Sequence, residues 1–373
     1  MTKGRRRMYS TVNDRVNDTD LFPETIERDG ITFRKKPSRY GDNPHQAAAT
    51  YTRDGDNLIT SDYKELKTGK SGLSVTNLRD IDRAYRMLAH FRDVPACAVM
   101  KHLNPAGLAR STKYNQRNLR ECFIDAWEGD SIAAFGSVDA FTEAVDKDTA
   151  NEIQNGTRYV EVVAAPDFEE GVMDIFENTT INRGDKDKKV NPNIRIVQIP
   201  NIDKLPRYEG EDTYGFLETI YLADGSFILQ EPYLSQIRDR DDLKAVTERE
   251  PTEREYDDLL FAWRVCEGVR SNGVVIANRG KVLAAGAGQQ ERAYAIRMAA
   301  EKVYEKGHAD DFNEAVLASD GFMLFDNLDP FKEGEITAII QPGGSISDKK
   351  LIKTCNERGI AMILTGSRCF GHF

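Results

Sequence analysis

The segment that most restricts the fold runs from residue 76 to 102, where a helix pattern leads straight into an apolar run ending in two ionisable residues. In "TNLRDIDRAYRMLAHF", Leu78, Ile81, Tyr85 and Leu88 recur at spacings of three and four, the period of an amphipathic helix. "PACAVMKH" follows as a short buried strand, closed by Lys101 and His102, and Asn104-Pro105-Ala106-Gly107 is expected to turn the backbone. Burying both ionisable groups unpaired would cost several kcal/mol, so this strand end asks for a function.

The same alternation continues along the chain. "RNLRECFIDAWEGD" reads as a helix, "GSVDAF" as a strand, "DKDTANEIQNG" as a helix, and "VEVVAAP" and "NIRIVQIP" as strands. "ENTTINRGDKDKKVNPN" is polar and without period, and is expected to be a surface loop. In "PTEREYDDLLFAWRVCEGVRSN", Thr252 and Glu255 have capping-box spacing at a helix start. A hairpin around Asn278-Arg279-Gly280, the helix "ERAYAIRMAAEKVYEKG", the strands "AVLASDGFM" and "ITAIIQP", the helix "DKKLIKTCNERG" and the strand "IAMILTG" complete the series. Such alternation predicts an α/β protein with helices on both faces of mixed sheets. The similarity of the halves suggests a duplicated unit, although no residue-level repeat is evident.

Composition narrows the function. At 373 residues the chain is long enough for two domains. No apolar stretch reaches the roughly 20 residues of a membrane helix, and "MTKGRRRMYS" lacks the apolar core of a secretory signal. A net charge of -10 argues against a general nucleic-acid binder, yet a few converging arginines can still hold one phosphate. The five cysteines are scattered and form no CxxC pair, which predicts a reduced, cytoplasmic protein without a cysteine zinc site. In "KTGKSG", Lys64 stands where a P-loop needs its first glycine, and in "GAGQQE", Glu291 stands where a dinucleotide loop needs its third. The five histidines show no short metal spacing.

What remains is a set of polar clusters at predicted strand ends, where α/β sheets bind ligands. They are "RYGDNPHQ", Lys101-His102, Ser271-Asn272 with "GAGQQER", "SDGFMLFDN" and the terminal "GSRCFGHF". Each alone has an ordinary structural explanation.

Ten segments together resemble the transformylase part of the bifunctional purine-biosynthesis family that joins an aminoimidazole carboxamide ribonucleotide (AICAR) formyltransferase to an IMP cyclohydrolase. In order they are "RYGDNPHQ", "KHLNPAG", "AAFGSVDAF", "VEVVAAP", "PTEREYDDLLFAWRV", "SNGVVIA", "GAGQQER", "ASDGF", "QPGGS" and "GIAMILTGSRCFGH". The resemblance implies two cytidine-deaminase-like three-layer α/β/α subdomains with mixed sheets and no zinc, here over 37–205 and 206–373 after an extension over 1–36. It implies formyl transfer from formyltetrahydrofolate, as co-substrate, to the exocyclic amine of AICAR. It also implies a homodimer with shared active sites, no catalytic metal, and room for a structural monovalent cation. Only about 36 residues precede the first match, too few for another catalytic domain, so a stand-alone transformylase partnered by a separate IMP cyclohydrolase is expected. A non-folate donor and a catalytically silent nucleotide-binding scaffold are the alternatives.

Carried over residue by residue, the resemblance makes His102 the base, Lys101 a stabiliser of the oxyanion or an aid to the leaving nitrogen, and Asn272 a polarising or orienting amide. Arg39 and Arg368 fall to the phosphate; Tyr40, Arg292 and Phe322 to the ring and carboxamide; Gly136 and Glu161 to the nucleotide side; Asn77 and Phe325 to the folate side. Met323-Leu324 replaces the family's aromatic-proline pair, and Gly371 and Phe373 alter its usual histidine-rich end.

Overall fold

The computed structural model describes residues 21–28, 30–43, 46–54, 61–69, 71–182 and 186–373. Pro44 and His45 of the first polar cluster, Lys70, and positions 183–185 of the predicted surface loop lie outside the described residues.

The elements in chain order begin with strands β1 (Thr25–Arg28), β2 (Ile31–Pro37), β3 (Ala49–Arg53) and β4 (Lys64–Lys67), then helix α1 (Val75–Leu88). Next come β5 (Ala96–Lys101), β6 (Asn104–Arg110), α2 (Leu119–Gly129), β7 (Ser137–Phe141), α3 (Lys147–Ile153), β8 (Val160–Ala165) and α4 (Val172–Asn178). Then follow β9 (Thr180–Asn182), β10 (Asp187–Lys189), β11 (Arg195–Gln198), β12 (Glu218–Tyr221), β13 (Phe227–Gln230) and α5 (Glu253–Cys266). The chain finishes with β14 (Val274–Asn278), β15 (Lys281–Gly286), α6 (Arg292–Glu305), β16 (Ala315–Ser319), β17 (Ile336–Gln341), α7 (Asp348–Glu357) and β18 (Ala361–Leu364).

One mixed sheet of 11 strands, in the order β18-β17-β16-β14-β15-β6-β5-β7-β8-β11-β4, carries both halves. In the first half β6, β5 and β7 pair antiparallel, then β7, β8 and β11 pair parallel. In the second half β15, β14 and β16 pair antiparallel, then β16, β17 and β18 parallel. The halves meet where β15 and β6 pair antiparallel, Lys281 opposite Ala109.

The correspondence extends to the register. Between Val99 and Met100 of the first hairpin the pairing slips, and it slips again between Ile276 and Ala277 of the second. A second slip falls after the first residue of β7, skipping Glu161 in β8, and its counterpart after the first residue of β16 skips Thr337 in β17. The two helices that lead into these hairpins carry matching capping boxes, Ser74 with Asn77 and Thr252 with Glu255. The chain is a duplicated unit, and the repeat lies in hydrogen-bond register more than in residue identity.

Layering follows from alternation. In β5, Ala96, Ala98 and Met100 face one core and Cys97 and Val99 the other, which is why the strand reads as a continuous apolar run. The first core lies beneath α1 and α5 and spans both halves; Ile81, Tyr85 and Leu88 of the predicted helix face enter it. On the opposite face, α2, α3 and α4 cover the first half and α6 and α7 the second. The result is three layers, α/β/α.

Some expectations are corrected. Asn104-Pro105-Ala106-Gly107 does not turn the chain but opens strand β6; the turn is His102-Leu103. Gly107 serves packing instead, because a Cβ there would collide with the Ala126 carbonyl of α2. The segment read as a surface loop contains the exposed hairpin β9–β10. The small sheet β1–β3 and the hairpin β12–β13 carry no period strong enough to have been read from sequence. Among the described residues no helix is long and apolar enough to cross a membrane.

Candidate functional site

Lys101 ends β5 and pairs with Asn104 across a two-residue turn. His102 and Leu103 have φ of 53° and 67°, the left-handed pair that twists a hairpin correctly and normally falls to Asn-Gly. The turn is held from outside the hairpin. Asp80 of α1 accepts the Leu103 amide through Oδ1 at 2.6 Å, and the His102 amide lies close to the same carboxylate. Burial raises the Asp80 pKa, while the Leu103 amide and the His102 and Lys101 charges pull it back. Asn104 donates through Nδ2 to the His102 carbonyl at 3.1 Å.

Lys101 Nζ donates to the Gly136 carbonyl at 2.7 Å. Gly136, at φ 75°, lies so close that a Cβ would stand 3.2 Å from Lys101 Nζ and 3.6 Å from Glu161 Oε1. Glu161 is the residue skipped by the β8 irregularity, and such bulges re-aim side chains beside functional sites. Lys101, Gly136 and Glu161 therefore converge, with exposed His102 next to them.

Arg39 and Tyr40 reach the same neighbourhood. The Arg39 amide donates to the Leu73 carbonyl at 2.8 Å, and the Val75 amide donates to the Tyr40 carbonyl at 3.1 Å, pinning the segment to the start of α1. Arg195, the first residue of β11, joins them and was missed by the sequence reading, which saw only a buried strand. It is 4% exposed and donates through Nε to the Gly72 carbonyl at 2.5 Å. Burial lowers its pKa, Glu161 raises it, and Arg39 lowers it again, so two guanidiniums share the field of one carboxylate. Asn77 accepts from the Ser74 amide and hydroxyl as the third helical residue of α1.

A second cluster is built on the other half. Asn272 accepts through Oδ1 from Arg292 Nη2 at 2.6 Å and donates through Nδ2 to the Gln289 carbonyl at 2.8 Å. Arg292 Nη1 donates to Ser319 Oγ at 2.8 Å and to Asp320 Oδ1 at 2.5 Å. Asp320 is fully buried and takes the Gly273 amide on its other oxygen at 2.9 Å. Charge-assisted bonds of this kind fix the guanidinium and hence the Asn272 amide. Arg368 and Arg292 lie 4.8 and 5.9 Å from the Phe370 ring. Phe322 is half exposed and follows Gly321, where a Cβ would strike Arg292.

The last residues of the chain are tied to both halves. The Ser271 amide donates to the Gly371 carbonyl at 2.9 Å, and Arg83 of α1 sits 3.5 Å from the Phe373 ring. Phe325 stands apart from both clusters, packed on the second-half core with Lys350 Nζ 3.2 Å from its ring. Met323 is fully buried in that core and Leu324 is at the surface.

The two clusters occupy one edge of the sheet: the end of β5 and start of β6 from one half, the start of β14 and the ends of β15, β16 and β18 from the other. The Arg270 amide donates to Asn104 Oδ1 at 3.0 Å and joins them. Among the described residues no group of three or more His, Cys, Asp or Glu could hold a metal ion.

Comparison with known proteins bears on this geometry. The model of the AICARFT/IMPCHase bienzyme family matches residues 8–302. The chain is 37% identical over 356 residues to the bifunctional purine biosynthesis protein PurH of Acetivibrio thermocellus, covering 95% of this chain and 62% of that protein. It is 37% identical over 375 residues to PurH of Persephonella marina, covering 97% and 64%, and 35% identical over 342 residues to PurH of Aquifex aeolicus, covering 91% and 60%. It thus spans about three-fifths of the length of these relatives. On this evidence the chain belongs to the AICARFT/IMPCHase bienzyme family.

Proposed function

We propose that this chain is an AICAR formyltransferase that takes its formyl group from formyltetrahydrofolate. The observation that carries the reading is the junction of an ionisable pair, Lys101-His102, with a rigid Asn272–Arg292 amide–guanidinium pair at one sheet edge.

The accepting amine is conjugated with an imidazole carboxamide and is a poor nucleophile. It attacks the formyl carbon while losing a proton to His102, exposed on its turn; a positioned base of this kind contributes about 10²–10⁴-fold. Negative charge then develops on the formyl oxygen, and the Lys101 ammonium, steadied by the Gly136 carbonyl, is the cation nearest the base. As the tetrahedral adduct collapses, the carbon–nitrogen bond to the folate breaks and that nitrogen takes up a proton. Asn272 orients the acceptor through an amide whose two ends are both held.

Arg39, with Arg195 behind it, and the exposed Arg368 suit a phosphate dianion. On this reading Tyr40, Arg292 and Phe322 frame the ring and Gly136 and Glu161 face the nucleotide; the folate-side roles expected of Asn77 and Phe325 rest on the family resemblance alone, since Asn77 caps α1 and Phe325 stands apart from both clusters. The working form is a cytoplasmic homodimer that shares its active sites. An apolar hairpin is consistent with the dimer: Tyr221, Phe227 and Leu229 of β12–β13 are 68, 56 and 46% exposed, and clustered exposed apolar residues are a feature of protein–protein contact sites.

Purified protein is given the ribonucleotide with formyltetrahydrofolate, or with formate and ATP, and formylated product is counted. Turnover with the folate is expected. Turnover only with formate and ATP overturns the donor, and nucleotide binding without turnover from either overturns catalysis in favour of a scaffold.

A further inference from the structure

We propose that Asp80 is a positioning residue for formyl transfer: it holds the His102-Leu103 turn in the left-handed backbone conformation that sets the base. The inference rests on the reading of His102 as that base.

Neither turn residue is glycine, and each L-residue held in the left-handed region costs roughly 1–2 kcal/mol. Asn104 helps through the His102 carbonyl, but the two turn amides need an acceptor that the hairpin itself does not supply. Asp80 supplies one from α1: the residue is buried and accepts the Leu103 amide at 2.6 Å, with the His102 amide close to the same carboxylate.

The duplicated half carries the same device. Asp258 of α5 accepts the Gly280 amide through Oδ1 at 2.9 Å, with the Arg279 amide close to the same carboxylate. Arg279 and Gly280, at φ 48° and 74°, occupy the places of His102 and Leu103. There glycine adopts the second left-handed position without steric cost. The first half keeps Leu103 and relies more on its carboxylate, and only the first half carries an ionisable pair at the mouth. Asp80 and Asp258 are thus the same anchor, one beneath the chemistry and one away from it.

The test compares Asp80→Ala, Asp258→Ala and Leu103→Gly, singly and with Asp80→Ala combined with Leu103→Gly. Asp80→Ala is expected to lower kcat about tenfold or more, as small misplacements of a catalytic group do, with KM for the ribonucleotide within about twofold. Adding Leu103→Gly, which relieves the turn as Gly280 does, restores kcat to within about threefold of Leu103→Gly alone. Asp258→Ala lowers Tm comparably and leaves kcat unchanged. Should Asp80→Ala fail to fold, Asp80→Asn, which keeps one acceptor, carries the same rescue experiment.

An activity-free readout separates this inference from the reading beneath it. The His102 ring signals, assigned among the five histidines through His102→Gln, shift in Asp80→Ala and stay in place in Asp258→Ala. A shift without any formyl transfer by the wild-type protein leaves the anchor standing and removes the formyltransferase reading. An unmoved His102 signal, no rescue by Leu103→Gly, or an equal kcat loss in Asp258→Ala overturns the role of Asp80.

Discussion

The two halves share strand order, pairing sense, both register slips, helix caps and an aspartate that anchors the hairpin turn, yet only one hairpin end suits chemistry. In the first half Lys101 and His102 stand at the mouth, with Gly136 and Glu161 opposite. In the second half Asn278 takes the place of Lys101 and is tied down on three sides. It donates to the Asp311 and Asn313 carbonyls and accepts from Arg254. Arg254 also pairs with Asp258 at 2.9 Å, and Arg249 with Glu255 at 2.8 Å, so each of these arginines beside the neighbouring 290 Å³ cavity is held by a carboxylate. The same scaffold ends one hairpin in an ionisable pair beside an exposed turn and the other in an asparagine and arginines held by carboxylates.

The largest break in this comparison is His102→Ala. Turnover should fall about 10²–10⁴-fold with nucleotide affinity mostly intact, measured by steady-state kinetics and calorimetry. Equal losses of both would make His102 a binding residue. Next comes Arg292→Ala, which strands the Asp320 carboxylate, fully buried, without its cation. Denaturant unfolding should show a loss of about 3–5 kcal/mol.

A third effect depends on pH. Burial pushes the Asp139 carboxyl of β7 up to about 7, and its Oδ2 has no hydrogen-bond partner; the matching residue of β16 is Leu317. The folded chain keeps a proton that the unfolded chain releases near 3.8, so this residue's stabilisation is lost as pH rises from about 4 to about 7. Asp139→Asn should flatten urea-unfolding stability across that window, and an unchanged slope would clear Asp139. The smallest effect belongs to Arg279→Ala, the counterpart of His102. Its side chain is 57% exposed and 3.9 Å from Glu314, so stability should change by less than about 0.5 kcal/mol and turnover not at all.

What was legible in the sequence was local. The spacing of Leu78, Ile81, Tyr85 and Leu88 marks α1, the Thr252-Glu255 pair marks the start of α5, and "ACAVMK" marks a strand covered on both faces. The turn was misplaced because Pro105 and Gly107 carry ordinary turn chemistry, while His102-Leu103 turns only with help from Asp80, 23 residues from Leu103. Arg195 was passed over for the same kind of reason: one charge at the start of an apolar strand has no local pattern, and its meaning comes from Arg39 and Glu161 across the fold. The duplication leaves no residue-level repeat because it is written in bulges and pairing senses, which side-chain identities specify only weakly.

The most direct test is a crystal structure of the protein with the ribonucleotide bound. Its phosphate is expected against Arg39 or Arg368 and its amine within reach of His102 and Asn272. Density instead in the 610 Å³ cavity lined by Arg110, Ser111, Thr112, Lys113 and Arg117, at the opposite edge of the sheet, would contradict that placement.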